Sequence, residues 1–172
     1  QVPVVATAGH SLGEYAALVA AGRLDAEDGM RLVMAHGAAL HDTPHGAMLA
    51  AGLPADEAER LVQGTELGVA AINGPKATVL AGAPAAVEAL RSQLGEQGVP
   101  AVRLDVAHAF HTAAMGAARG ALERALAQTR FTDGAPWFSA WSARADSAPA
   151  HALAQALTAP VRYHDTALAL LQ

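Results

Sequence analysis

The segment Gly9-His10-Ser11-Leu12-Gly13-Glu14 holds a serine between two glycines, where a short apolar run gives way to a helical pattern. That is the context of a nucleophile elbow, in which a sharp strand-to-helix turn lifts the serine hydroxyl clear of a sheet. Gly9 and Gly13 leave room for close backbone approach. The Leu12 N–H, backed by the positive end of the helix dipole, is placed to stabilise an oxyanion. A serine needs a base to take its proton, and histidine is the usual one.

The sequence holds eight histidines. His41 and His45 sit in or beside the turn His41-Asp42-Thr43-Pro44-His45-Gly46, and their i, i+4 spacing lacks the third ligand that a metal site requires. His151 and His164 fall at helix boundaries and read as solvated. His108-Ala109-Phe110-His111 follows a strand at the point where the chain must return to a core. Loops at such returns lie over the carboxyl ends of parallel strands, where α/β proteins bind ligands. On position alone, either histidine of that segment could serve as the base. No carboxylate stands out as its orienting partner among Asp105, Asp133, Asp146 and Asp165, and a backbone carbonyl can do that work instead.

The elements that must position these residues follow from periodicity and turn chemistry. Val2–Ala8 reads as a strand buried on both faces of a parallel sheet. A helix over Leu12–Ala21 ends at Gly22, and Asp25 caps a second helix carrying Met30, Val33, Met34 and Leu40. Strand Ala47–Ala51, helix Ala55–Val62, strands Gly68–Ile72 and Ala77–Ala81, helix Pro84–Gln97 and strand Ala101–Val106 follow in the order β-α-β-β-α-β, that of a ferredoxin-like unit. Beyond it come a helix over Thr112–Gln128 weakened by Gly116 and Gly120, a strand over Trp137–Trp141, and helices over Ala150–Leu157 and His164–Leu171. The expected fold class is α/β: a hydrolase-like core with a parallel sheet, built from residues 1–45 and 107–172, with a ferredoxin-like subdomain, residues 46–106, inserted into it.

Composition narrows the field of partners. The 172 residues carry 11 basic and 16 acidic side chains, for a net charge of −5, and Lys76 is the single lysine, which leaves no electrostatic footprint for nucleic acid or an anionic membrane. The 52% hydrophobic content comes largely from alanine, and no run approaches the roughly 18 residues that a spanning helix needs. Without cysteine there is no disulfide, thiolate metal site or thiol nucleophile. Covalent chemistry would rest on Ser11.

Four segments together resemble the malonyl-CoA:acyl carrier protein transacylases and the acyltransferase domains of modular polyketide synthases. Gly9–Glu14 is similar to that family's GHSxGE motif, Asn73-Gly74-Pro75 to its NGP turn, His108–His111 to its HAFH motif, and Ala159-Pro160-Val161-Arg162-Tyr163 to its PVRF-like segment. The resemblance implies Ser11 as the acylated nucleophile, His111 as general base and Leu12 N–H as an oxyanion donor. It implies a main-chain carbonyl near the Pro160 segment as the orienting group. It also implies His10, Ala109 and Phe110 as the lining of the acyl pocket, with Ala109-Phe110 of the malonyl type. The substrates would be acyl-CoA and the phosphopantetheine thiol of an acyl carrier protein, with no bound cofactor. Neighbouring synthase domains and a cytoplasmic setting follow from the same resemblance.

Three departures qualify the match. Leu32-Val33-Met34-Ala35-His36-Gly37 places His36 where malonyl-binding members carry an arginine. An arginine forks to a carboxylate and is always charged, whereas a histidine offers one donor per nitrogen; the exchange weakens carboxylate binding by about 1.5–3 kcal/mol. His36 points to an acyl group without a carboxylate, and reads equally as a packing histidine between Leu32 and Leu40, the two roles being compatible. The family's early GQG-type loop and late GPG strand do not occur in the sequence, from which a catalytic unit incomplete at both ends is expected. Acyl-carrier hydrolysis and an inactive docking module stand as alternative functions.

Overall fold

The computed structural model describes residues 3–172. Among these, fourteen regular elements order the chain: β1 (Thr7–Ala8), α1 (Gly13–Ala20), α2 (Ala26–His41), β2 (Ala47–Ala51), α3 (Ala55–Val62), β3 (Leu67–Gly74), β4 (Ala77–Gly82), α4 (Pro84–Glu96), β5 (Ala101–Leu104), α5 (Gly116–Ala127), β6 (Trp137–Ser139), β7 (Arg144–Ala145), α6 (Pro149–Ala156) and α7 (Tyr163–Leu170). A single 3-10 turn, Ala113–Met115, leads into α5.

The middle of the chain builds a four-stranded antiparallel sheet of order β3-β4-β2-β5, with α3 and α4 on one face. Its central strands β2 and β4 are buried on both sides, and the period-2 alternation divides their side chains between two cores. Leu49 and Leu80 face α3 and α4, where Val87 and Leu94 close the layer. Met48, Val79 and Ala81 face the other way and pack against Ala109, Ala140 and Val161 of the flanking segments. Where β3 shifts register at Ala70, the Ala70 carbonyl accepts from Val161 N at 2.9 Å and Val161 in turn accepts from Ile72 N at 2.8 Å. The late segment around Pro160 is thereby stitched to the edge of this sheet.

The flanking segments form the second layer. Helices α1, α2, α5 and α6 enclose Leu18, Leu32, Met115, Leu122 and Trp137, each at most 1% exposed. Complete burial of one such leucine contributes about 1.5–3 kcal/mol. Asp25 caps α2 by accepting from Glu27 N, and Gly22 takes the left-handed conformation that ends the first helical segment.

Three expectations are corrected. Of the strand over Val2–Ala8, Val2 lies outside the described residues, and only Thr7 and Ala8 pair, with Trp137 and Phe138 of β6. Val4 and Val5 are 52% and 79% exposed, since no strand covers them among the described residues. The core sheet is mixed rather than parallel: β1 and β6 run parallel, but β6 turns back after Ser139 into β7, which pairs antiparallel. The strand expected over Trp137–Trp141 is cut short by that reversal, which Ala143 completes with a φ of 55°. No helix among the described residues is long and apolar enough to cross a membrane.

Candidate active site

Ser11 occupies the turn between β1 and α1 with a φ of 55°, in the left-handed region that a side-chain-bearing residue enters only under constraint. Gly9 makes the turn possible, because a Cβ there would fall on the Gly13 carbonyl. Gly13 itself faces open space, so its backbone is what Gly9 approaches, and the expected need for a second glycine does not hold. In the turn that follows, Gly13, Glu14 and Tyr15 donate to His10, Ser11 and Leu12 carbonyls. Among the described residues no backbone acceptor engages the Leu12 N–H.

His111 reaches the same point from the far end of the sequence. Its Nε2 lies 2.7 Å from Ser11 Oγ, and its Nδ1 lies 2.8 Å from the carbonyl oxygen of Ala156. A carbonyl only accepts, so Nδ1 carries the proton and Nε2 of the neutral ring is free to accept from the serine hydroxyl. Ala156 ends α6, where carbonyls lack helical partners and the dipole is negative, an arrangement that also favours the imidazolium formed during proton transfer. Burial holds His111 below its ordinary pKa, the Ala156 bond opposes that shift, and His10 adds to it. His111, like Ser11, has a positive φ, 60°. None of the four aspartates considered from sequence reaches the ring; Asp165, for one, pairs with Arg162 at 2.8 Å.

The hydroxyl opens on a cavity of about 370 Å³ walled by Val33, Leu40, Phe110, Met115 and Leu157, with His36 beside Gly37 in its lining. Of the residues that the resemblance implies as pocket lining, Phe110 borders this cavity. Ala109 does not: it is 2% exposed, stacked on Gly46 so closely that a Cβ on Gly46 would strike its backbone, and belongs to the interface between the two layers. His10 is exposed and lies outside the cavity lining. Its Nε2 donates to the Asn73 side-chain oxygen at 2.8 Å and its ring packs on Tyr163, so it ties the elbow to the Asn73-Gly74-Pro75 turn. Of the two histidines in His108–His111, the first is occupied elsewhere, with Nδ1 3.0 Å from Thr43 Oγ1 and the ring stacked on His45. Among the described residues no group of three or more histidine, aspartate or glutamate side chains could hold a metal, His41 and His45 included.

Two residues escaped the sequence reading. Glu14 is 2% exposed; its Oε1 accepts from Ala140 N at 2.7 Å, while Oε2 has no partner. Burial pushes its pKa up to about 8. Tyr15 places its hydroxyl 3.0 Å from His36 Nδ1. The signal for Glu14 was available, since it shares a helical face with Ala17 and Leu18, both core residues.

A strained serine at a strand-to-helix turn, a histidine fixed by a carbonyl and an apolar cavity beside them are the parts that a serine nucleophile site on an α/β fold requires. The chain matches the acyl transferase domain family over residues 4–170 and belongs to it. A phenolphthiocerol/phthiocerol polyketide synthase polypeptide of Mycobacterium tuberculosis is 35% identical over 120 residues, which cover 70% of this chain and 8% of that protein. Orsellinic acid synthase of Emericella nidulans is 40% identical over 131 residues, covering 72% and 6%. The chain therefore spans under a tenth of these relatives. Among solved structures, the acyltransferase domain of an iterative polyketide synthase in enediyne biosynthesis superimposes with a TM-score of 0.90 at 35% identity, covering 99% of this chain and 47% of that one. Malonyl CoA-acyl carrier protein transacylase from Burkholderia pseudomallei gives 0.92 at 31% identity, covering 99% and 61%.

Proposed function

We propose that this chain carries out acyl transfer by way of a Ser11 ester, taking the acyl group from acyl-CoA and passing it to the phosphopantetheine thiol of an acyl carrier protein. Residues 1–45 and 107–172 act as a hydrolase-like catalytic unit and residues 46–106 as a ferredoxin-like subdomain, a reading supported by the β-α-β-β-α-β order and the β3-β4-β2-β5 sheet. The observation that carries the function is the Ser11–His111–Ala156 alignment.

His111 Nε2 takes the hydroxyl proton as Ser11 Oγ attacks the thioester carbonyl, and the Leu12 N–H faces the oxyanion that forms. Collapse breaks the carbon–sulfur bond, and the imidazolium returns the proton to the departing CoA thiolate. A carrier thiol then gives its proton to His111, attacks the ester and releases Ser11, which recovers its proton. No resident cofactor enters these steps. His36, at the position where the sequence resemblance expects an arginine, supports an acyl group without a carboxylate.

Intact-protein mass spectrometry after incubation with acetyl-, propionyl- and malonyl-CoA tests both parts. An adduct absent from Ser11→Ala is expected with the uncharged acyl groups. An adduct with malonyl-CoA alone overturns the preference. No adduct, together with no labelling of Ser11 by a fluorophosphonate, makes the chain an inactive docking module. Release of free acid from an acylated carrier, without transfer to a second carrier, makes it a hydrolase.

A further inference from the structure

Tyr15 is 3% exposed, and its hydroxyl meets His36 Nδ1 at 3.0 Å across 21 positions of sequence, with the rings edge-on at a centroid distance of 5.8 Å. Among the described residues neither side chain makes another hydrogen bond. The direction of this one is therefore decided by what would be left over. If Nδ1 donated to the phenol oxygen, the buried phenolic proton would have no acceptor, and a stranded donor is worse tolerated than an unused lone pair. If the hydroxyl donates to Nδ1, the proton left without a protein partner is the one on Nε2 of His36, a ring that lines an open cavity. Burial and the neighbouring Glu14 raise the Tyr15 pKa, which keeps the phenol protonated and the donor in place.

With Nδ1 accepting, the proton of the neutral ring resides on Nε2, which has no protein partner among the described residues. The ring lines the cavity shared with Ser11 and His111. Burial, and then His111, hold His36 below its ordinary pKa, so the cavity meets a neutral ring rather than a cation. A carboxylate entering among Val33, Leu40 and Met115 would lose water without gaining a counter-charge. A plain alkyl chain would leave the N–H unpaired. An uncharged oxygen satisfies it, and sites built to bond such an oxygen discriminate against analogues lacking it.

We infer that Tyr15 is a positioning residue that fixes His36 as a neutral Nε2–H donor, and that the acyl groups selected carry an uncharged oxygen acceptor, as in 3-oxoacyl chains, where a malonyl group would carry its carboxylate. The substrate class rests on the acyl-transfer reading above; the tautomer does not.

Two-bond ¹H–¹⁵N spectra of the 172-residue chain near neutral pH read the tautomer directly, and Nε2–H is expected for His36, with Tyr15→Phe moving the Nδ1 nitrogen resonance toward that of an unbonded ring nitrogen. In parallel, acetoacetyl-CoA and butyryl-CoA compete for Ser11 with intact mass as readout. Wild type should favour acetoacetyl by about tenfold, the span of one neutral hydrogen bond, and Tyr15→Phe should bring the ratio toward one. An Nδ1–H ring in wild type, or a ratio near one that the substitution does not move, overturns the inference. Failure of every thioester to form an adduct overturns the acyl-transfer reading instead, while the wild-type spectrum still decides the tautomer.

Discussion

The cavity beside Ser11 has a histidine in its lining at two places, and the two are held by different kinds of atom. His111 rests on a main-chain carbonyl, His36 on a tyrosine hydroxyl. A carbonyl only accepts, so it places the proton on Nδ1 and frees Nε2 to act as a base. A buried hydroxyl with no other acceptor donates, so it places the proton on Nε2 and leaves the ring a donor. Two identical side chains in one pocket thus present opposite faces of acid–base chemistry, and the choice is made by a neighbour behind the ring.

Alanine substitutions should separate the two roles most sharply. His111→Ala should slow acyl-enzyme formation by about 10⁴-fold, and Ser11→Ala, which removes the acylated oxygen, should abolish it. His36→Ala should alter which thioester is used far more than whether any is. Comparable losses at both positions, in rapid-quench measurements of acylation, would erase the distinction.

A smaller effect is expected from His36→Arg. Placing a permanent, forked charge at that point of the cavity should raise malonyl-CoA use relative to propionyl-CoA by about 10- to 100-fold, the equivalent of a charge-assisted hydrogen bond. Competition assays with both thioesters would show it.

The base role also sets a pH dependence. His111 works only when unprotonated and its pKa lies below 6.5, so acylation should already be on its plateau at neutral pH and fall about tenfold per unit below the lowered pKa. A rate that climbs through pH 7 to 8 would mean that another group supplies the base.

Glu14 lines the narrow void shared by Ser11, His36 and His111, and its effect falls on stability rather than on rate. Its folded pKa of about 8 stands above the ordinary 4.5, so the unfolded chain releases this proton first as pH rises. Stability from this group is complete below pH 4.5, declines between 4.5 and about 8, and is then lost. Glu14→Gln should flatten the fall in Tm between about pH 5 and pH 8 by several degrees, measured by calorimetry. An unchanged slope would place the titration elsewhere.

Much of this arrangement is legible in the chain. Gly9–Glu14 and His108–His111 stand out because each packs several functional atoms into a few adjacent residues. The elements from Ala47 to Leu104 stand out because β-branched and apolar runs alternate there with well-punctuated helices. What stays hidden depends on partners distant in sequence. The Ala156 carbonyl is a backbone atom with no side-chain signature. The family resemblance implies the pocket for both Ala109 and Phe110, but successive residues point apart, and the close approach of Gly46 buries Ala109 in the seam. His10 is drawn outward by Asn73, 63 positions away. The two-residue strand β7 is exposed and too short to leave a pattern.

The positive φ angles at Ser11 and His111 bear on how such a chain can change over time. Each holds backbone strain of about 1–3 kcal/mol for any residue with a Cβ, and only glycine relieves it. Glycine at either place also deletes the chemistry. At these two positions the sequence that folds best and the sequence that works are different sequences. Drift toward stability there leads out of function, and a copy released from selection would be free to take that step.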